Sequence, residues 1–132
     1  MFSLSQVIEA PPAEVVRAFT EAEAFAAWFV AEGFSTPSDR VSIDVRPGGL
    51  ISAVFVADDV EVPFAFRFGE LDLPHHLVLH LDDPEVVTVH LEDLGDGRTR
   101  LDYRSEGLPA DQETTIKPGV ARMLGYMADY FS

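Results

Sequence analysis

The feature that most constrains the fold is an alternation of apolar and polar side chains that begins near residue 40. Successive side chains of a strand point to opposite faces, so this period of two predicts strands that bury one face. Phe64, Phe66 and Phe68, for example, share one side of their segment. Six strands are predicted here: Val41–Val45, Leu50–Ala57, Val62–Leu71, Leu77–Asp82, Val86–Leu94 and Arg98–Glu106.

Other periodicities flank this region. Phe2–Ile8 alternates and predicts a first strand, whereas Ala13–Thr20 and Glu21–Glu32 carry apolar residues at helical spacing. Near the C-terminus, apolar residues recur every three or four positions from Ile116 onward, with Pro118 near the start of that helix or at a kink. These elements predict a single α+β domain over residues 1–132, in which one long helix covers the apolar face of an antiparallel meander.

Residue parity predicts how two of the strands pair. The odd-numbered residues are apolar in both Leu77–Asp82 and Val86–Leu94, so they should share the buried face. The simplest connection that preserves this parity is the three-residue loop Asp83–Glu85. That loop places Leu79 opposite Val89.

The next hairpin has a loop at Gly95–Gly97, where glycine tolerates a positive φ. This loop places Val89 opposite Tyr103 on the buried face. Side chains of opposite charge then face each other on the polar side, which supports the register. The other predicted pairs are Leu91–Leu101, Glu92–Arg100, His90–Asp102 and Thr88–Arg104.

The composition excludes several classes of function. The 132 residues include 23 acidic and 9 basic side chains, for a formal net charge of −14, and such a surface disfavours nucleic acid and anionic membranes. The absence of Cys excludes disulfides and thiolate metal sites. Met1–Pro12 lacks the basic start of a signal peptide, and no apolar run approaches the ~20 residues of a membrane span. We therefore expect a soluble, cytoplasmic domain.

Several short motifs occur in a characteristic order. Ile8–Thr20 is followed by Ala27–Phe29, by the Asp-Val-Arg-Pro-Gly-Gly turn at Asp44–Gly49, and by Gly125-Tyr126 in the last helix. This order resembles the helix-grip (START-like) superfamily, and within it the domain shared by activators of the 90-kDa heat-shock chaperone ATPase and their stand-alone bacterial relatives. That family often has Gly-Trp where this chain has Gly125-Tyr126.

The resemblance implies a curved antiparallel sheet of about seven strands, with two short helices after the first strand, wrapped around a long C-terminal helix. It also implies a cavity between sheet and helix that takes a hydrophobic small molecule, although the same apolar side chains would suit a filled core. The predicted lining residues are Trp28, Phe29, Phe55, Phe64, Phe66, Leu79, Val89, Tyr103, Met123, Tyr126 and Met127.

Three functions follow from the resemblance and stay open at this point. The first is binding of an apolar or amphipathic small molecule, and the second is a co-chaperone-like interaction with a chaperone or other protein. The third is a cyclase-like enzyme, for which Tyr103 is the main inward polar side chain. The sequence contains no recognisable catalytic constellation and predicts no cofactor, and it leaves a monomer and a homodimer equally open.

The histidines raise the question of a metal site. By the predicted register His76, His80 and His90 lie on the polar face, with His90 diagonal to each of the other two. Three side chains so spread cannot converge on one ion, so no metal site is predicted. His90 and Asp102 resemble an acid–base pair, but they lie on the face opposite the cavity and lack an obvious nucleophile.

Overall fold

Seven antiparallel strands form one curved sheet in the computed structural model, which describes residues 1–81 and 84–132. The spatial order is β1-β7-β6-β5-β4-β3-β2, so every strand after the first pairs with its neighbour in sequence, and β1 closes onto β7. The strands are β1 (Phe2–Ile8), β2 (Ser42–Ile43), β3 (Leu50–Ala57), β4 (Val60–Asp72), β5 (His76–His80), β6 (Val86–Gly95) and β7 (Arg98–Glu106).

Three short helices follow β1, where two were predicted. They are α1 (Pro12–Val15), α2 (Arg17–Thr20) and α3 (Ala22–Trp28). The predicted first helix is divided at Val16, although Val16 itself keeps helical dihedral angles. The division arises because the N–H of Phe19 bonds to the carbonyl of Val16, three residues back, which tightens the chain into a 3₁₀-like turn.

The C-terminal helix, α4, runs over Ala110–Tyr130 and begins before the apolar periodicity is evident. It continues through Pro118, which lies on the exposed side, where water can solvate the carbonyl group that lacks a partner. Asp111 and Glu113 occupy the first turn, where negative charge is favourable to the helix dipole. The helix packs on β1 and on α3.

The β6–β7 register agrees with the prediction. Val89 faces Tyr103 and Leu91 faces Leu101, and the three predicted polar pairs are also opposite each other. The turn differs in detail, because a bulge after Asp93 places Gly95 opposite Arg98. The three loop residues all have positive φ, as the glycines at either end of the loop favour.

The predicted β5–β6 register is wrong by two residues. Leu79 faces Val87, and Leu77 faces Val89. A slip of two preserves parity, so the same side chains are buried and the alternation could not reveal the error. The predicted end of β5 and the predicted connecting loop include residues 82 and 83, which lie outside the described residues.

The β2 strand is shorter than the predicted Val41–Val45 because the chain turns at Asp44. The N–H of Arg46 bonds to the Asp44 carbonyl, and Gly48 and Gly49 bond to the backbone of Phe68 on β4. A Cβ on Gly49 would lie 2.0 Å from the Asp44 carbonyl oxygen, so this position requires glycine for space. The Asp44–Gly49 motif therefore has a structural role.

The core lies between the inner face of β5, β6, β7 and β1 and the layer of helices. Leu77, Leu79, Val87 and Val89 are almost completely buried on the strands, and Leu124 is buried on α4. Close packing of this kind leaves little free volume under the centre of the sheet.

Candidate functional site

A cluster of phenylalanine rings occupies the inner face at the β3–β4 end of the sheet. The centroid of the Phe55 ring lies 4.4 Å from that of Phe64 in a stacked arrangement. Phe29, at the end of α3, approaches the strands from the helical layer, with its centroid 5.3 Å from that of Phe64 and 5.4 Å from that of Phe66. The cluster therefore bridges sheet and helices.

The strand lengths explain why this cluster is partly open. β4 pairs with β5 only from Arg67 onward, so its first residues extend beyond the end of β5. Phe64 and Phe66 lie on the inner face just before this transition. Phe29 follows the last residue of α3, and its non-helical backbone ends that helix. The four rings Phe29, Phe55, Phe64 and Phe66 thus meet at an edge that neither β5 nor the helices fully cover.

These rings line a cleft of about 180 Å³. Its described wall consists of Phe29, Phe55, Phe64, Ala65, Phe66 and Leu81, and we call it the phenylalanine cleft. Pockets for drug-sized ligands typically measure about 300–1,000 Å³, whereas an apolar cavity of about 150 Å³ accommodates benzene. The phenylalanine cleft is therefore of a size for one ring or a short chain.

Four of the eleven predicted lining residues meet at this cleft, and the others lie elsewhere. Trp28 is only 1% exposed, and its indole N–H donates a 2.8 Å hydrogen bond to the Ala18 carbonyl. Its ring packs edge-on against Phe19 at 5.2 Å. Trp28 thus anchors the short helices to one another.

Leu79, Val89 and Met127 are buried in the core rather than on the cleft wall. Met123 is half-buried against that core, whereas Tyr126 is 38% exposed on the outside of α4. Periodicity correctly predicts the apolar faces on which the four buried or half-buried residues lie, whereas Tyr126, which the Gly125-Tyr126 motif suggested, lies outside the core. The packing that separates core from cleft depends on tertiary distances that periodicity does not contain.

Tyr103 is 4% exposed and stacks on Phe2, with 6.2 Å between the ring centroids. Burial raises the pKa of its hydroxyl group well above the ordinary value, and the negative charge of Glu85 adds to this rise. The phenol therefore keeps its proton at neutral pH. It does not belong to the described wall of the phenylalanine cleft.

A buried polar pair beside Tyr103 was missed by the sequence reasoning. The Ser105 hydroxyl donates a 2.7 Å hydrogen bond to Oε2 of Glu85, and both residues are buried. A signal was available, since both positions have the odd parity of the buried face.

Two larger hollows lie on the outer face of the sheet. One, of about 440 Å³, lies over β3 and β4 and includes Arg40, which forms a 3.1 Å ion pair with Glu61. The other, of about 340 Å³, lies over β1 and β7 and includes Asp102 and Arg104. Both are lined in part by charged side chains on the solvent-facing side of the sheet, whereas the wall of the phenylalanine cleft is mainly aromatic.

The histidines occupy a different arrangement from the predicted one. His76 lies directly opposite His90 rather than diagonal to it, as a result of the shifted β5–β6 register. Within residues 1–81 and 84–132, no three His, Asp or Glu side chains are arranged to hold a metal ion.

His90 and Asp102 are opposite each other but do not form the acid–base pair that their positions suggested. The Asp102 carboxylate instead accepts a 2.6 Å hydrogen bond from Ser5 and one of 3.4 Å from Arg100.

In the part of the chain that the structure describes, no helix combines the length and the hydrophobicity needed to cross a bilayer.

The fold and motifs agree with a family model whose description is "Activator of Hsp90 ATPase homolog 1-like protein". The model matches residues 9–132. The chain belongs to this family. Membership in the Activator of Hsp90 ATPase homolog 1-like family accounts for the helix-grip architecture, and it confirms the resemblance seen in the sequence. No curated protein sequence matches the chain.

Solved structures extend this comparison. A protein from Chromobacterium violaceum is 28% identical, with a TM-score of 0.80, and the match covers 98% of this chain and 96% of that one. A protein from Nitrosomonas europaea is 20% identical, with a TM-score of 0.81 and coverage of 97% and 91%. An AHSA1-like protein from Aeromonas hydrophila is 19% identical, with a TM-score of 0.72 and coverage of 98% and 94%. The last two likenesses show the fold alone.

Proposed function

We propose that this protein binds a small apolar molecule, with the bulk of one aromatic ring or a short chain, in the phenylalanine cleft. The observation that carries the proposal is the convergence of Phe29, from the helical layer, with Phe55, Phe64 and Phe66, from the sheet, around about 180 Å³ of space. Ligand sites are typically concave and mainly apolar. Four of the six described wall residues are phenylalanines, and such a wall favours planar, apolar ligands.

The expected affinity is modest. A ring-sized ligand that buries roughly 200 Å² of apolar surface gains about 5 kcal/mol from hydrophobic transfer, part of which offsets its lost freedom of motion. The resulting dissociation constant is on the order of 1–10 mM. A longer apolar chain would gain more by continuing over Val60 and Val62, two exposed residues that have the same parity as Phe64 on β4.

Titration with toluene, followed by two-dimensional NMR, tests this proposal. We expect saturable shifts at the backbone amides of Phe29, Phe64 and Phe66. Phe64→Ala should weaken binding by about tenfold, since it removes the ring that contacts both Phe29 and Phe55. The matched control is Phe131→Ala, at the end of α4 and away from the cleft.

Two results would contradict the proposal. One is the absence of saturable shifts in the folded wild-type protein. The other is an unchanged toluene affinity in a Phe64→Ala variant that the NMR spectrum shows to be folded. Native mass spectrometry of the freshly purified protein would complement the titration, because a retained ligand would reveal its own chemical class.

Membership in a family named for an activator of the Hsp90 ATPase favours a second candidate function, the binding of such a chaperone. The net charge of −14 would steer the protein toward a basic surface. The test is the ATPase rate of purified Hsp90-type chaperone with and without this protein at low salt. An unchanged ATPase rate and no detectable complex would exclude this role. If the protein activates the ATPase and Phe64→Ala activates it equally well, the chaperone is bound by the protein surface rather than through the phenylalanine cleft.

The cyclase alternative gains no support. Tyr103, on which it depended, lies in the core rather than on the described cleft wall, and its raised pKa makes it a poor base at neutral pH.

A further inference from the structure

Two histidines face each other on the outer side of the sheet. His76, on β5, lies directly opposite His90, on β6. Their neighbours Leu77 and Val89 are buried on the inner face, so the alternation along each strand directs both imidazole groups to the outer face. This face is opposite the phenylalanine cleft, so the pair is independent of the proposed function.

The backbone hydrogen bonds indicate that the two side chains start close together. The N–H of Leu91 donates a 2.8 Å bond to the carbonyl of His75, which makes residues 75 and 91 a hydrogen-bonded pair. Such pairs alternate with non-hydrogen-bonded pairs along an antiparallel ladder, so His76 and His90 form a non-hydrogen-bonded pair. The Cα atoms of these pairs are about 4.5 Å apart, the closer of the two spacings. Two nitrogens that each lie about 2.0–2.1 Å from one tetrahedral ion are about 3.3 Å apart, a distance that rings so placed can reach.

The register is fixed directly beside this pair. Nδ1 of His75 donates to the Leu91 carbonyl at 3.2 Å, so both backbone groups of Leu91 bond to the same residue at the start of β5. His76 and His90 each adjoin one of these two residues, so their separation cannot change without loss of these bonds. Ligands held in place before an ion arrives lose little freedom when they bind it.

The imidazole rings of the pair are not engaged elsewhere. Among the side chains of residues 1–81 and 84–132, none forms a hydrogen bond or an ion pair with His76 or His90. Their nitrogens are therefore available to an ion. Neutral imidazole is a ligand that suits Zn²⁺, Ni²⁺ and Cu²⁺.

Carboxylates lie at both ends of this pair. Asp72, on β4, is opposite His76, and Asp102, on β7, is opposite His90, so the four side chains form one row across four strands. Their negative charge, with the net charge of −14, attracts a cation to the row. A carboxylate beside a ligating histidine also accepts the second ring N–H, which orients the ring.

We propose that His76 and His90 bind one divalent cation of the class that favours imidazole, Zn²⁺, Ni²⁺ or Cu²⁺, through one ring nitrogen each. Water would occupy the other coordination positions, because no group of three His, Asp or Glu side chains within residues 1–81 and 84–132 is arranged to hold an ion. The bound ion would link β5 to β6 on the outer face of the sheet.

Titration of the protein, without a histidine tag, with ZnCl₂ tests this site when the NMR signals of the histidine rings are followed. We expect the signals of His76 and His90 to shift together and to saturate at one Zn²⁺ per protein. Titration with MgCl₂ separates coordination from attraction by the net charge, because Mg²⁺ prefers oxygen ligands. It should leave both rings unshifted.

Substitution of each histidine tests whether both are ligands. His76→Gln and His90→Gln should each weaken Zn²⁺ binding by at least about tenfold, because the second imidazole no longer adds its bond to an ion that is already held. His80→Gln is the matched control and should keep the affinity of the wild-type protein. His80 lies on the same face of β5, about 13 Å along the strand from His76, and its ring packs where a Cβ of Gly69 would lie, 2.7 Å from Nε2.

Three results would overturn the proposal. The first is the absence of a saturable shift of both rings with Zn²⁺, and the second is a Zn²⁺ affinity that survives in His76→Gln or in His90→Gln. The third is an equal loss of affinity in His80→Gln, which would indicate diffuse attraction to the acidic surface. Each of these results would leave the proposed function standing, because the phenylalanine cleft lies on the other face.

Thermal unfolding of the wild-type protein provides a second measurement that does not depend on the folding of a variant. An ion that binds only the folded chain raises the unfolding temperature. We expect a rise with ZnCl₂ and none with an equal concentration of MgCl₂. An equal rise with both ions, or none with ZnCl₂ at a concentration that saturates the ring shifts, would also overturn the proposal.

Discussion

Phe55 and Phe64 stack across the β3–β4 ladder with their ring centroids 4.4 Å apart, although they are diagonal rather than directly opposite in register. Each ring also faces Phe29, which reaches them from the end of α3. Rings held by one another need little reordering when a ligand arrives, and such preorganisation lowers the cost of binding.

Trp28 and Phe29 are adjacent, yet they should respond differently to substitution. Trp28→Phe removes the hydrogen bond to Ala18 and part of a buried ring, so we expect a loss of about 1–3 kcal/mol in the free energy of unfolding. Its toluene affinity should be unchanged. Phe29→Leu should weaken toluene binding several-fold. Urea unfolding measures the change in stability, and NMR titration measures the toluene affinity. A Trp28→Phe variant that bound toluene more weakly but kept its stability would contradict the assignment of Trp28 to stability and Phe29 to binding.

Gly49 and Gly125 offer a matched pair of glycine substitutions. Gly49→Ala places a methyl group against the Asp44 carbonyl, so the turn must shift, at a cost of about 1–3 kcal/mol. Gly125 lies within α4, where a Cβ meets no atom within 4 Å, so Gly125→Ala should stabilise by about 0.5–1 kcal/mol. Thermal unfolding of both variants checks these opposite signs. If Gly49→Ala stabilised the protein as much as Gly125→Ala, the turn at Gly49 would not be close-packed.

Thr99 should contribute through its hydroxyl group rather than its bulk. Its buried Oγ1 donates a 2.7 Å hydrogen bond to the Ala10 carbonyl, which joins β7 to the segment after β1. Thr99→Val keeps the shape and leaves that carbonyl unsatisfied, so we expect a loss of about 1–3 kcal/mol by urea unfolding. Thr99→Ser keeps the donor and serves as the control. A Thr99→Val variant as stable as the parent would show that water replaces the bond.

Tyr103 should make stability depend on alkaline pH. Its folded pKa is raised by burial and by Glu85, whereas an unfolded tyrosine has a pKa of about 10. Below pH ~10 both states keep the proton and the stabilisation is fully present. Above it only the unfolded state loses the proton, so the free energy of unfolding falls as pH rises. Urea unfolding between pH 8.5 and 11 should show this fall, and Tyr103→Phe should reduce it.

The exposed Tyr130 provides the control for this profile. Tyr130→Phe should retain the decline seen in the parent protein. If Tyr103→Phe and the parent declined equally, the decline would arise from other groups, and the assignment to Tyr103 would be wrong.

Much of the fold follows from local pattern. β1, β3 and β7 have the predicted bounds, because turn-forming residues such as Pro11, Gly49 and Gly107 lie close to their ends. The β6–β7 register was predictable because charges on the polar face, such as Glu92 and Arg100, distinguish one pairing from its neighbours. The β5–β6 register was not, since its aliphatic side chains pair equally well after a slip of two.

The sequence predicted the face of the sheet on which the candidate site lies, but not which residues of that face line the cleft. Parity placed Phe55, Phe64 and Phe66 on the inner side, but it treated Leu79 and Val89 in the same way. The difference arises because β5 is short and the helices contact mainly β1, β7 and β6, at the other side of the sheet from β3 and β4. Such coverage depends on strand lengths and helix placement, which are properties of the assembled fold.

The closure of β1 onto β7 also governs when this chain can fold. Ser5 and Asp102, which join the two strands by a hydrogen bond, are 97 positions apart in sequence. During synthesis β1 therefore leaves the ribosome long before β7, the strand with which it pairs, exists, and α4, which covers it, follows later still. High contact order of this kind slows folding to the order of milliseconds to seconds. Assembly of the domain should consequently await the synthesis of α4, with Phe2 and Ile8 uncovered in the nascent chain until then.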